Sequence, residues 1–108
     1  MKKIVDKKVA RRMRNGSGLI SYCPSRTTFA RLVALFGSPT FGPEDSGDGK
    51  VQVEWVLKAR NGAVLTVYDY RSYAPVQALV GHEWHIGGDR DKPGVPKAVG
   101  ELIDLLAQ

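Results

Sequence analysis

Apolar and polar residues alternate from Lys50 to Arg60 and again from Ala63 to Ser72, and Asn61-Gly62 stands between the two runs. Period-two alternation marks half-buried strands, and Asn-Gly between two such runs is the strongest short-range hairpin signal. A two-residue turn sets Trp55 opposite Tyr68, Val53 opposite Tyr70 and Leu57 opposite Thr66, which predicts one apolar and aromatic surface. The other surface then pairs Val56 with Val67 and Glu54 with Asp69, with Arg71 on the diagonal from Glu54. Two directly opposed carboxylates are unfavourable unless a cation, a metal or solvent relieves them. A slip of one residue would send the two acids to opposite faces.

Before the hairpin the period becomes helical. Phe29, Leu32, Val33 and Phe36 recur at i, i+3, i+4 and i+7, which predicts one apolar helix face. Ser25 or Thr27 supplies a cap, Gly37 ends the helix and Pro39 prevents its resumption. Val99, Leu102, Ile103 and Leu106 draw a second stripe behind Pro96, which suits the first position of a helix. Leu19 to Cys23 predicts a first strand and His82 to Ile86 a last one. Residues 38–50, with Glu44, Asp45 and Asp48, read as a polar connector. The order strand, helix, hairpin, strand, helix predicts an α+β fold: a mainly antiparallel sheet of about four strands with two helices packed on one face.

The 108 residues suffice for one domain with its own core. Their net charge of +5 is unevenly placed: Lys2, Lys3, Lys7, Lys8, Arg11, Arg12 and Arg14 crowd the first 14 positions against Asp6 alone. The expected organisation is therefore a flexible basic arm, residues 1–17, joined through Asn15-Gly16-Ser17-Gly18 to a near-neutral domain, residues 18–108. Residues 1–14 show no apolar periodicity, so the arm is expected to be dispensable for folding. Such an arm attracts polyanions through counterion release, with Lys7, Lys8, Arg11, Arg12 and Arg14 as the contacts. No apolar run approaches the ~18 residues of a membrane span, and the N-terminus lacks the apolar core of a secretory signal. The single cysteine, Cys23, excludes an intramolecular disulfide. A reducing cytoplasm is the expected setting.

Candidate chemistry concentrates in His82-Glu83-Trp84-His85-Ile86-Gly87-Gly88. The two histidines fall on opposite faces of a strand and so cannot chelate one metal together. One of them beside Glu54 and Asp69 would make a hard oxygen-and-nitrogen site. Cys23 has no local base, and no phosphate loop, serine elbow or deaminase signature is present. Catalysis, metal and cofactor are accordingly not expected. Binding is better supported: aromatic rings stack on bases and arginines take phosphates. Trp55 and Trp84 are assigned to the core. Tyr70, Arg71, His85, Gly87, Gly88 and Arg90 form the expected ligand site at the strand ends, with Arg71 and Arg90 closing on one anion and the Gly87-Gly88 backbone lining a nest.

The strings Leu35-Phe36-Gly37-Ser38-Pro39, Asp48-Gly49-Lys50-Val51 with Glu54-Trp55, Tyr68-Asp69-Tyr70-Arg71 and Trp84-His85-Ile86-Gly87-Gly88 resemble a family of small uncharacterised bacteriophage accessory proteins. The resemblance spans roughly residues 18–106 and is most specific in Trp-His-Ile-Gly-Gly. It implies a non-enzymatic protein of the host cytoplasm that counters host defence by binding. Its partner would be an anionic small molecule such as a nucleotide signal, held by a homo-oligomer at its subunit boundaries, or a host defence protein. A nucleic-acid-binding factor acting through the basic arm is the alternative, and a small metal-dependent hydrolase stands third.

Overall fold

The computed structural model describes residues 1–47 and 49–108; Asp48, part of the second string above, lies outside the described residues. The fold is α+β. Among the described residues, five strands form one antiparallel sheet: β1 (Lys2–Lys3), β2 (Gly18–Tyr22), β3 (Glu54–Lys58), β4 (Val64–Asp69) and β5 (Trp84–Gly88), in the spatial order β1-β3-β4-β5-β2. Three α-helices accompany it among the described residues: α1 (Lys7–Met13), α2 (Phe29–Phe36) and α3 (Val95–Ala107).

One face of the sheet carries the main core. Trp55 and Leu57 on β3, Leu65 and Val67 on β4, and Trp84 and Ile86 on β5 are fully buried there, beneath Leu32 and Phe36 of α2 and Val99, Leu102 and Leu106 of α3. The Trp55 and Trp84 rings meet edge to face, 5.8 Å apart. Each indole N–H finds an acceptor, Trp55 Nε1 on the Gly37 carbonyl at 2.9 Å and Trp84 Nε1 on the Leu79 carbonyl at 3.3 Å, which is how a buried indole avoids an unmet donor. Gly37 ends α2 at φ 81°. Two details of α2 differ from expectation. Its cap is Thr28, whose Oγ1 accepts the Arg31 N–H at 3.1 Å, and Val33 turns to solvent while Leu35 packs against the core.

The hairpin forms where predicted but in another register. Glu54 pairs with Tyr68 and Trp55 with Val67. Gly62 adopts φ 88°, its N–H bonds to the Ala59 carbonyl at 2.9 Å, and the Ala59 N–H bonds to the Ala63 carbonyl. Arg60, Asn61 and Gly62 thus form a three-residue loop with glycine in the left-handed position, a common alternative to the two-residue turn. That one extra loop residue slips the pairing and separates Glu54 from Asp69. Asp69 now faces the core side, and Glu54 shares the opposite face with Tyr68.

The N-terminal segment is not a flexible arm. Lys2 and Lys3 pair with Lys58 and Leu57 at the sheet edge, and the Ile4 N–H donates to the Val56 carbonyl at 2.8 Å. Asp6 caps α1 through its side chain. Ala10 of α1 is buried with Phe41 and Val56, and Ile4 and Val64 pack around them. A small second core therefore lies on the face opposite the tryptophans. The segment 38–50 is likewise more than a connector, since Phe41 is buried and pairs its backbone with Glu54. Among the described residues no helix is long and apolar enough to cross a membrane.

Candidate ligand-binding site on the open sheet face

The helices α2 and α3 cover one face of the sheet, and α1 with Phe41 covers only one end of the other. Strand alternation then places Thr66 and Tyr68 of β4, His85 and Gly87 of β5, and Glu54 of β3 on the uncovered remainder. These residues, with Arg14, Gly18, Leu19, Val51 and Tyr70, line a hollow of about 320 Å³, at the small end of the range typical of small-molecule sites.

His85 is the hub of the aromatic wall. Tyr22 and Tyr68 meet its ring edge-on at centroid distances of 5.1 and 5.4 Å, and Tyr70 lies tilted at 6.1 Å. Burial holds the His85 pKa below the ordinary histidine value, and the nearby His82 adds to the depression against an opposing influence from Asp69. The neutral form of the ring is therefore favoured at pH 7, where it can stack, donate one hydrogen bond and accept another. Burial raises the Tyr68 pKa, and Glu54 adds to the rise; the phenol keeps its proton.

Gly87 makes the floor. A Cβ there would come within 2.6 Å of Thr66 Oγ1 and 3.2 Å of Tyr68 Cε1, so only glycine lets the hollow reach down to the β-sheet backbone. At the rim, Arg14 Nη1 lies 3.6 Å from a Glu54 carboxylate oxygen, and the guanidinium carbon sits 4.8 Å from the Phe41 ring centroid. Arg14 Nε is buried with no hydrogen-bond partner among the described residues. Burial raises the Glu54 pKa, and Arg14 pulls it back.

Asp69 fixes the neighbouring loop from the other face. Its Oδ1 accepts the Gln52 and Val53 N–H groups at 2.9 and 3.0 Å, and its Oδ2 accepts Gln52 Nε2 and Ser72 Oγ at 3.0 and 3.1 Å. This carboxylate ties residues 52–53 to 69–72 and holds the loop in which Arg71 and Tyr73 adopt positive φ, 52° and 55°. Non-glycine residues take that conformation only when their surroundings enforce it.

Of the expected site residues, the structure gathers Tyr70, His85 and Gly87 around the hollow. Gly88 faces the other way, where a Cβ would meet Ile20, Val95 and Leu65 of the core. Gly87 and Gly88 both lie within β5 between β4 and β2, so their backbone forms ladder pairs rather than an open nest. Arg71 and Arg90 do not converge. Antiparallel pairing sets Asp69 beside Trp84 and Leu65 beside Gly88, so Arg71 follows β4 at one end of the sheet while Arg90 follows β5 at the other. Arg71 stacks over Tyr70, 5.3 Å from the centroid, and Arg90 Nη2 donates to the Leu19 carbonyl at 3.0 Å.

The basic residues expected to contact polyanions are largely engaged within the fold. Lys7 Nζ lies 2.9 Å from an Asp45 oxygen, Arg11 Nη2 lies 3.6 Å from the other, and both Arg11 and Arg14 cover Phe41. Lys8 and Arg12 are exposed. The hydrogen bond from Lys7, then that from the Gly42 N–H, lowers the Asp45 pKa. Cys23 is buried, and that burial pushes its thiol up to about 12. Among the described residues no group of three or more His, Cys, Asp or Glu side chains is placed to hold a metal.

Sequence reasoning missed Tyr68, Thr66, Glu54 and Arg14 as members of the site. A two-residue turn puts Tyr68 and Thr66 on the tryptophan face, and charge counting assigns Arg14 to the arm. In comparisons with known proteins, the chain matches no family model, no curated protein and no solved structure.

Proposed function

We propose that this is a non-enzymatic binding protein that captures a nucleotide-type small molecule in the hollow on its open sheet face. The observation that carries the reading is the ring cluster of Tyr68, Tyr70 and His85 standing over the glycine floor at Gly87. Stacking on aromatic rings is the general way proteins hold nucleobases, and every base offers a π-face for it. Arg14 and Glu54 add a donor and an acceptor at the rim for the edge of a base or for a phosphate. The inert state of Cys23 supports binding over nucleophilic catalysis, since a buried thiol with a pKa of about 12 supplies no thiolate at neutral pH.

The resemblance to bacteriophage accessory proteins supports a biological setting for this capture: sequestration of a nucleotide signal in the host cytoplasm, to the detriment of host defence. A role for α1 in binding nucleic acid is the second reading, and the exposed Lys8 and Arg12 favour it. It is the weaker of the two, because Lys7, Arg11 and Arg14 already have internal partners.

The test is calorimetric titration of the full chain with purine and pyrimidine mononucleotides, repeated with Tyr70→Ala. Tyr70 is 42% exposed, so its truncation leaves the core intact. Saturable binding of at least one nucleotide, weakened roughly tenfold by the substitution, is the expected result. Absence of binding by every nucleotide overturns the reading.

A further inference from the structure

The aromatic wall of the hollow has a second side. Tyr70 and His85 also line a neighbouring depression of about 440 Å³ bounded by Tyr22, Ser72, His82 and Glu83. Tyr22, on the edge strand β2, is 49% exposed and meets His85 edge-on at 5.1 Å. Each hollow thus has its own tyrosine, Tyr68 in the first and Tyr22 in the second, and both share the Tyr70–His85 partition. Each also has one carboxylate and one nitrogen-bearing group, Glu54 with Arg14 in the first and Glu83 with His82 in the second. At the partition itself stands Arg71, whose exposed guanidinium lies 5.3 Å from the Tyr70 ring centroid.

We infer that the ligand is a dinucleotide unit, with one base in each hollow and the linking phosphate passing over the Tyr70–His85 partition beside Arg71. The inference rests on the base-capture reading and extends it. A mononucleotide fills one hollow and leaves the other ring set unused. Two bases joined through phosphate match the repeat of ring, carboxylate and nitrogen across the partition, and they bring the anion to the cation that the strained loop holds there. Carboxylates accept from exocyclic amino groups, so adenine, cytosine and guanine suit the two hollows better than uracil or thymine. The same dinucleotide chemistry occurs in a free cyclic dinucleotide and within a single strand.

The test is calorimetry of the full chain with adenosine monophosphate, the linear dinucleotide ApA, cyclic diadenylate and a short oligodeoxyadenylate. ApA should bind about tenfold or more tightly than the mononucleotide, the gain expected from stacking a second base. Tyr22→Ala and His82→Ala, both at exposed positions and checked for folding by circular dichroism, should reduce that ratio towards one. Tighter binding of the cyclic compound than of ApA identifies a free messenger as the ligand, and tighter binding of the oligomer identifies a strand; either supports the two-base site. Equal affinity for ApA and the mononucleotide, or a ratio unmoved by both variants, overturns the inference while leaving single-base capture standing. If no nucleotide binds, both readings fall together.

Discussion

The Asp69 carboxylate, wholly buried on the core side of β4, accepts the Val53 N–H at 3.0 Å. The bond joins the segment that enters β3 to the end of β4, and the same side chain accepts from the Gln52 backbone and side chain and from Ser72. Removing an acceptor of four donors in a buried place leaves several of them unmet, and each unmet donor costs about 1–3 kcal/mol. Asp69→Ala should therefore lower unfolding free energy by about 3 kcal/mol or more. Asp69→Asn, which keeps one carbonyl oxygen for the two backbone N–H groups, should cost less. Urea titrations of the three proteins check this, and equal midpoints for wild type and Asp69→Ala would disprove it.

Gly87 and Thr66 are too close for any side chain at position 87, with 2.6 Å from an added Cβ to Thr66 Oγ1. Gly87→Ala should destabilise the protein by about 1–3 kcal/mol, the usual cost of overpacking. Adding Thr66→Ala to that variant should restore part of the loss, because it removes the oxygen that the methyl group strikes. The coupling in a double-mutant cycle measured by denaturation is the readout; strictly additive losses would refute the contact.

Why the hairpin was legible in the sequence and its register was not follows from the turn. Asn61-Gly62 signals a reversal, but the glycine serves a two-residue turn and a three-residue loop equally well, and the two differ by one position. That single position moved Tyr68 and Thr66 from the expected core face to the open face, and it separated Glu54 from Asp69. The tryptophans were legible as core because two helical stripes needed an apolar face to cover. Tyr70, His85 and Gly87 line one hollow, but the expected reason, strand ends with an open Gly87-Gly88 backbone, differs from the observed one, in which Gly87 lies within the β5 ladder. The separation of Arg71 from Arg90 was not legible, since antiparallel pairing places the end of β4 and the end of β5 at opposite ends of the sheet. The N-terminal segment hid its role because Ile4 and Ala10 are too few to draw a stripe, and because its arginines pack on Phe41 as flat surfaces, which charge counting does not register.

Deleting residues 1–14 should destabilise the domain rather than free it of a tail. The deletion uncovers Phe41 and Val56, now 4% and 0% exposed, and full burial of such side chains contributes about 1.5–3 kcal/mol each. The ion pair between Lys7 and Asp45 adds little, being at the surface. A fall in thermal midpoint that persists in high salt is expected from this apolar origin, and an unchanged midpoint would contradict the packing of α1.

Cys23 should resist thiol reagents in the native state. With its thiol held to about pKa 12 by burial, almost none is thiolate at pH 8, and the thiolate is the reactive form. Labelling with a chromogenic disulfide reagent should be slow in buffer and rapid in denaturant. Fast native labelling would show the site to be open.

His85 should make stability depend on pH in one direction. Its folded-state pKa lies below the ordinary value of 6.5, chiefly because burial among Tyr22, Tyr68 and Tyr70 disfavours the charged ring, with His82 contributing the same sign. The unfolded chain takes up a proton at higher pH than the folded chain does. Acidification therefore favours unfolding: the contribution of the neutral ring is complete above pH 6.5 and is lost as pH falls from there through the folded pKa. Replacing the ring with a group that does not titrate removes that contribution, so the stability of His85→Gln relative to the wild type should rise as pH falls from 7 to 5. Ligand capture should weaken over the same interval if His85 stacks in its neutral form, because a protonated imidazole must be solvated and leaves the wall. Because burial raises the Glu54 pKa and gives the opposite slope, the difference between His85→Gln and wild type is the readout in parallel denaturation and calorimetric series, and a difference that stays constant across that range would overturn the assignment of His85 as a neutral, half-buried ring.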